Sequence, residues 1–350
     1  MPHAAFILDP PRRRAAQPPR LSGCRVIDEA GQARIDFDMA GGSVLLGYAH
    51  PRVEAAVSEG APDGDRIASG LSSMLPGQPE VRFTAEEGQA LPAAVAAARK
   101  ITGRRRIAVW APRDGVFDGD NDLAAVLVDP LGMTPAQLRQ ARAAADAVAA
   151  ILIFDEGASG FRIHAQGAQG LSCVRPDMAV FGAGLANGRP FGAVTGDAEM
   201  IAALDPEDLP APRADSLAAA GATLELLRHA PVAPHLQVLG AEIQTEVESL
   251  IRKAGATRLI SLAGDPTLPT PLFGAPALEG LWMREMISRD LIVVGPHALS
   301  AAHGPAEAAA LVDAYAAMLP AMMSRNMAEI FARPRSGPDP LYSVAPEGCA

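Results

Sequence analysis

Short apolar runs alternate with longer amphipathic stretches over residues 80–197. "RRIAVWA", "LAAVLVDP", "AILIFDEG", "DMAVFG" and "FGAVTGD" are brief, apolar and bounded by polar residues or Pro, which predicts strands buried on both faces. "EVRFTAEEGQALPAAVAAARKITGR" predicts a strand, a Gly-containing turn and a helix with Pro92 in its first turn. "TPAQLRQARAAADAVAA" predicts a helix capped by Thr134, with Pro135 at its first position. Upstream, "GCRVIDEAGQARIDFDM" reads as two short strands around an "EAGQ" turn, and "HPRVEAAVSEG" as a helix with an early Pro. Strands alternating with helices imply right-handed crossovers and a mostly parallel sheet with helices on both faces, an α/β fold.

From about residue 214 the pattern changes to long Ala/Leu-rich helices, "SLAAAGATLELLRHA" and "HLQVLGAEIQTEVESLIRKAG", and then a final helix–strand–helix stretch to about residue 319. The expected organisation is an irregular Pro/Arg-rich arm (1–22), N-terminal strands with a large domain (23–213), a smaller α+β domain (214–335) and a tail (336–350). There are no internal repeats.

The chain of 350 residues is 49% hydrophobic and 20% charged, with a net charge of −10. That balance fits a globular protein and disfavours nucleic acid or an anionic membrane surface as partners. Aromatics are only 4%, so Ala, Leu and Val must fill most of the core. Cys24, Cys173 and Cys349 are far apart, with no CxxC spacing, which argues against a zinc site or a disulfide framework. The N-terminus lacks the apolar core of a signal peptide, and no run approaches the roughly 20 apolar residues of a membrane span. The expected location is the cytoplasm. Of 30 basic residues, only Lys100 and Lys253 are lysines, and Arg forms no Schiff base at working pH.

In such sheets ligands bind at the carboxyl ends of the strands. This puts Asp155, at the end of "AILIFDEG", on one rim with the loop "GAGLANGRPFGA" that follows "DMAVFG". Asp155 and Glu156 are adjacent in a strand, so their side chains point to opposite faces.

Taken in order, "IDFDMAGGSVLLGYAHPRVEAAV", "AARKITGRRRI", "AAVLVDP", "LIFDEGASGFRIHAQGAQGLSCVRPD", "PFGAVTGD", "ATLELL" and "LSAAHGPAEAAALVDA" resemble the class III aminotransferases, and within them the glutamate-1-semialdehyde aminomutases. The blocks run from Gly23 to about Leu319. The resemblance implies fold type I of the pyridoxal phosphate (PLP) enzymes and a homodimer with both sites at the subunit interface. It also implies four holds on the cofactor. Asp155 matches the carboxylate that pairs with the pyridine nitrogen; read from the residues alone, the alternative is a strand-end carboxylate capping a helix or turn. The lysine that would form the imine falls, without a gap, on Ala183, and a methyl group can neither form an imine nor accept a proton. The Ser-Gly-Thr phosphate cradle falls on Glu87-Gly88-Gln89. There Glu87 either fills the anion hole at the helix N-terminus or faces solvent. The stacking aromatic and its neighbours fall on Arg113-Asp114-Gly115. The segment after Trp110 is several dozen residues shorter than in the family, and "PRADSLAAAG" lacks the Thr-bearing loop that reaches the neighbouring subunit's phosphate site.

Three functions follow from this pattern. The chain is a pseudoenzyme or partner subunit that has lost covalent PLP and transamination. Or it is a PLP-independent enzyme drawing on Asp155, Glu156, Gln169, Arg113, Asp114, Glu87 or His303, with His303 favoured as structural. The alternative is a lysine-free enzyme holding PLP or pyridoxamine phosphate without a covalent bond. No metal site is expected.

Overall fold

The computed structural model describes residues 19–60, 63–112 and 122–324. At the N-terminal end β1 (Arg20–Ser22), β2 (Arg25–Ile27) and β3 (Ala33–Asp36) pair antiparallel in succession. The turn between β2 and β3 falls on the expected "EAGQ", where Asp28 accepts the N–H groups of Ala30 and Gln32. The last residues of the expected irregular arm are therefore a strand. α1 (Pro51–Glu59) begins on Pro51. α2 (Gly64–Met74), capped by Asp63 accepting from the Asp65 N–H, has no counterpart among the expected elements.

β4 (Glu80–Thr84) leads into α3 (Glu87–Thr102). The Gln89 side chain accepts the Glu86 N–H at 3.0 Å, and this capping contact starts the helix early. Pro92 is consequently its sixth residue rather than part of the first turn. The missing N–H deprives only the Gly88 carbonyl, at an exposed residue, of its helical donor.

The apolar runs become β5 (Arg106–Val109), β6 (Leu123–Val128), β7 (Ile151–Glu156), β8 (Met178–Phe181) and β9 (Gly192–Gly196). α4 (Pro135–Ala147), capped by Thr134, and α5 (Gly167–Ser172) lie between them. With β4 they form a six-stranded sheet ordered β4-β9-β8-β7-β6-β5. β5 to β8 run parallel, whereas β9 is antiparallel to both β8 and β4. The link from β8 to β9 holds only a 3₁₀ turn, Ala183–Ala186, too short for the helical crossover a parallel neighbour needs.

α3 covers one face with Ala90, Ala93, Ala94, Ala97 and Ala98, packed on Ala125, Ile153, Val180 and Val194. The other face, with Leu152, Phe154 and Phe181, packs on Leu138, Ala141 and Ala145 of α4. Small side chains on α3 let the helix approach closely, which is how a core poor in aromatics reaches close packing.

The remaining elements are α6 (Ala198–Ala202), α7 (Ala214–His229), α8 (Val232–Lys253), the hairpin β10 (Ile260–Ala263) and β11 (Thr270–Phe273), α9 (Pro276–Ile287), β12 (Leu291–Ile292) and α10 (Pro305–Met323). β12 pairs parallel with β3, so the N-terminal strands share a sheet with the C-terminal region. α7 packs on α1, on α2 and on the turn at residues 183–186. Both associations cross the boundary expected at residue 214. α10 is long and apolar enough to cross a membrane by length and composition, although no such run stood out in the sequence. Its Leu311, Tyr315, Met318 and Met322 are fully packed, against α8 and α9, as in a core helix.

Candidate functional site

The strand register builds the rim. Val128 pairs with Phe154, and Asp155 with Val180, so Asp129, Asp155 and the residues after Phe181 arrive side by side at the carboxyl ends of β6, β7 and β8. Asp155 has the same side-chain parity as Ile153, so it points to the face that α3 covers. Glu87, the first residue of α3, comes down on that same rim.

The approach is close. A Cβ on Gly182 would lie 2.5 Å from the Glu87 Cδ, and one on Gly157 would lie 3.2 Å from both Glu87 Oε1 and Asp155 Oδ1. Two glycines therefore make room for two carboxylates that converge on one point. The Ala183 N–H donates to Glu87 Oε2 at 3.5 Å, a long contact. Asp155 accepts the Gly157 N–H at 3.1 Å. Burial pushes the Asp155 carboxyl above its ordinary range, and the Gly157 N–H only partly offsets this. Asp129 is likewise raised, first by desolvation and then by the Asp155 charge. Among the described residues, no Arg or Lys counters either shift.

Glu156 points the other way, beneath α5. It is fully buried, and its Oε2 accepts the Ala168 N–H at 2.8 Å. Burial lifts its pKa to about 8, with Asp155 and Asp129 adding to the rise, so it carries a proton at neutral pH. Its Oε1, both amide atoms of buried Gln169 and the Ser159 hydroxyl find no partner among the described residues. Glu156 and Gln169 thus lie on the opposite side of the sheet from the Glu87–Asp155 pair.

Of the other sequence-derived candidates, Gln89 is occupied in capping α3, and a Cβ on exposed Gly88 would meet nothing within 4 Å. Arg113 and Asp114 lie outside the described residues. Lys100 sits thirteen residues along α3 from Glu87, about 20 Å away at helical rise, where Nζ donates to the Ala203 carbonyl. Lys253 is exposed at the end of α8. Neither reaches the rim. His303 is buried: its Nδ1 accepts the Ser300 N–H at 3.1 Å, which leaves the proton on Nε2 to donate to the Asp36 carbonyl at 3.0 Å. Burial pushes its pKa down to about 4, and it pins the C-terminal segment to β3.

Asp129 and the glycines at 157 and 182 were not among the candidates. Asp129 was readable as a second strand-end carboxylate in "LVDP", whereas the glycine roles depend on where α3 lands. The segment 39–47 packs on the turn after β8, where Cβ atoms added at Gly184 and Gly188 would meet Leu45 and Val44. Met39, Ala40, Gly41 and Gly42 take four successive positive φ values. Buried Arg162 donates to the Gly42, Thr267 and Leu299 carbonyls. Asn187 locks this segment to the turn after β8, accepting the Leu46 N–H and donating to the Gly47 carbonyl, both at 2.9 Å.

This fold is that of the PLP-dependent aminotransferases. The chain superposes on the PLP internal aldimine form of the FumI protein from Sphingopyxis sp. MTA144 with a TM-score of 0.77, at 22% identity and covering 92% of each chain. It superposes on an omega-transaminase from Sphaerobacter thermophilus with a TM-score of 0.72, at 26% identity, over 89% of this chain and 93% of that one. In sequence it is 25% identical to glutamate-1-semialdehyde 2,1-aminomutases: over 67% of this chain and 70% of the protein from Methylacidiphilum infernorum, and over 78% and 80% for that from Caldicellulosiruptor bescii. No family model matches the chain. Homology and fold together support an aminotransferase/aminomutase-like family for this chain.

Proposed function

We propose that this chain is a class III aminotransferase homologue that has lost covalent PLP attachment and transamination, and that it acts by binding, through a retained fold, as a pseudoenzyme. The observation that carries this reading is Ala183. It opens the turn after β8, on the rim beside Asp155, where the sequence blocks put the family's lysine. When bound in an aminotransferase, PLP serves as an electron sink at the substrate carbon. Of the groups here, Asp155 fits the pyridine nitrogen. Ala183 does not fit the imine, and the Glu87 carboxylate does not fit a phosphate.

Glu156 and Asp155 point to opposite faces, so these two neighbours in sequence do not act as one acid–base pair; the carboxylates that share a face are Glu87 and Asp155. A homodimer in the cytoplasm is part of the same proposal; light scattering of the purified protein checks the assembly. The direct test is titration with PLP followed by borohydride reduction and intact-mass measurement. The expected result is no imine absorbance and no reduced adduct at a single site. A stoichiometric adduct on Lys100 or Lys253 would sink the reading.

A further inference from the structure

We infer that the Glu87 carboxylate is a built-in occupant of the old anchor site, and that this one side chain, not only the missing lysine, keeps phosphate-bearing pyridoxal cofactors out. The inference rests on the proposed loss of covalent attachment and extends it to the non-covalent route.

Without Glu87, the rim would retain much of what a non-covalent hold needs. α3 presents the N-terminal end of a 16-residue helix, whose dipole and first N–H groups favour an anion, the Gln89 N–H being already taken by Glu86. Asp155 stands at the strand end, and Gly157 and Gly182 leave the backbone bare. Glu87 takes this ground itself. Its carboxyl lies over Gly182, reaches toward the Ala183 N–H and shares the space above Gly157 with Asp155. It is a monoanion with two acceptor oxygens, tethered to the first residue of α3 and so present at a very high local concentration. A phosphate arriving here has to displace that carboxylate or sit beside it, with the Asp155 charge close by. Either way, a like-charge contact replaces the lysine and hydroxyl contacts of an aminotransferase.

The test is calorimetric binding of pyridoxamine 5′-phosphate, which forms no imine, to the full chain and to Glu87→Ser and Glu87→Asp. Glu87 is exposed, and its side chain makes a single described hydrogen bond, of 3.5 Å, so both variants should melt within a few degrees of the parent. The expected result is no saturable binding at sub-millimolar ligand for the parent and for Glu87→Asp, and at least tenfold tighter binding for Glu87→Ser. If Glu87→Ser binds no better than the parent, or Glu87→Asp binds as well as Glu87→Ser, the inference falls. Tight binding of pyridoxamine phosphate by the parent overturns it too. A PLP imine on the parent would instead sink the proposed function.

Discussion

Replacing Glu156 with Gln should make the protein more stable at pH 8 than the parent, relative to the same comparison at pH 6.5. Glu156 is fully buried and has a folded-state pKa of about 8, against an ordinary value of 4.5. Between those values the unfolded chain has released this proton while the folded chain keeps it. The stabilisation is complete below pH 4.5 and is lost as pH rises through 8. Two histidines act oppositely at lower pH. Burial depresses His303 to about 4 and His297 to about 3, so their unfolded forms bind protons that the folded forms refuse, and their contribution grows as pH rises to about 6.5. Their unfolded forms finish losing this proton about a unit above 6.5, and since parent and variant carry the same histidines, that term cancels in the difference between them. Integrating the linkage relation from pH 6.5 to 8 gives a loss on the order of 1–2 kcal/mol from this group. Gln keeps an oxygen for the Ala168 N–H and cannot ionise. Urea denaturation at half-unit steps over that range, with the m-value held common, reads the parent-minus-variant difference directly. If that difference stays constant within about 0.3 kcal/mol, comparable to the scatter in additivity of independent sites, Glu156 ionises normally and the argument from burial is wrong.

Three further outcomes follow from the packing and the rim. Ala183→Lys alone should yield no transamination when assayed with PLP and an amino donor, because Glu87 still occupies the cradle; recovered activity would show the cradle reading to be wrong. The same variant should raise the melting temperature, since an ammonium placed beside Glu87 and Asp155 meets two carboxylates that no described cation offsets; an unchanged or lower value refutes the anionic rim. Arg162→Leu removes the donor from three carbonyls where three segments meet, and should cost about 1–3 kcal/mol for each carbonyl left buried without a donor, read by chemical denaturation. Ala94→Leu, at a site with no exposure between α3 and the sheet, should cost about 1–3 kcal/mol by overpacking, and a neutral result would mean that α3 is not tightly seated.

The strands were legible because a run buried on both faces has no polar positions to spare, as in Ile151–Glu156 and Met178–Phe181. The Thr134 cap was legible for a local reason: its hydroxyl accepts the Gln137 N–H three residues on. What the pattern could not supply depends on contacts distant in sequence. Pairing of β12 with β3 joins residues some 255 positions apart, and nothing in "LIV" names its partner. The antiparallel β9 depends on how much chain the turn after Phe181 consumes. Asp155 could be placed on the rim from strand alternation alone, and so could its separation from Glu156. The direction of Glu87 could not, because it needs the landing point of α3 on the sheet and the absence of a Cβ at Gly157 and Gly182. Both possibilities for Glu87 were physically open in the sequence; in the structure the residue stays exposed while its carboxyl reaches toward the Ala183 N–H.

Charge is what ties Ala183 and Glu87 together. At the edge of a protein, two unit charges 4 Å apart interact by about 4 kcal/mol at an effective dielectric constant of 20. A phosphate set beside the Glu87 carboxylate would meet a repulsion of that order for each of its charges. The helix terminus returns only about 0.3–1 kcal/mol in attraction, so repulsion wins unless cations are close. A lysine at position 183 would supply one such cation, and with it a carboxylate at position 87 would be held as an ion pair across the site. With alanine there, Glu87 and Asp155 share the rim without a described counter-charge; burial is what raises Asp155 and Asp129, and the Asp155 charge adds to the rise of Asp129. On the proposed reading such a rim disfavours a phosphate dianion and favours a cation. Ala183 and Glu87 then act together on the charge of the rim, one from the turn after β8 and the other from a terminus of α3.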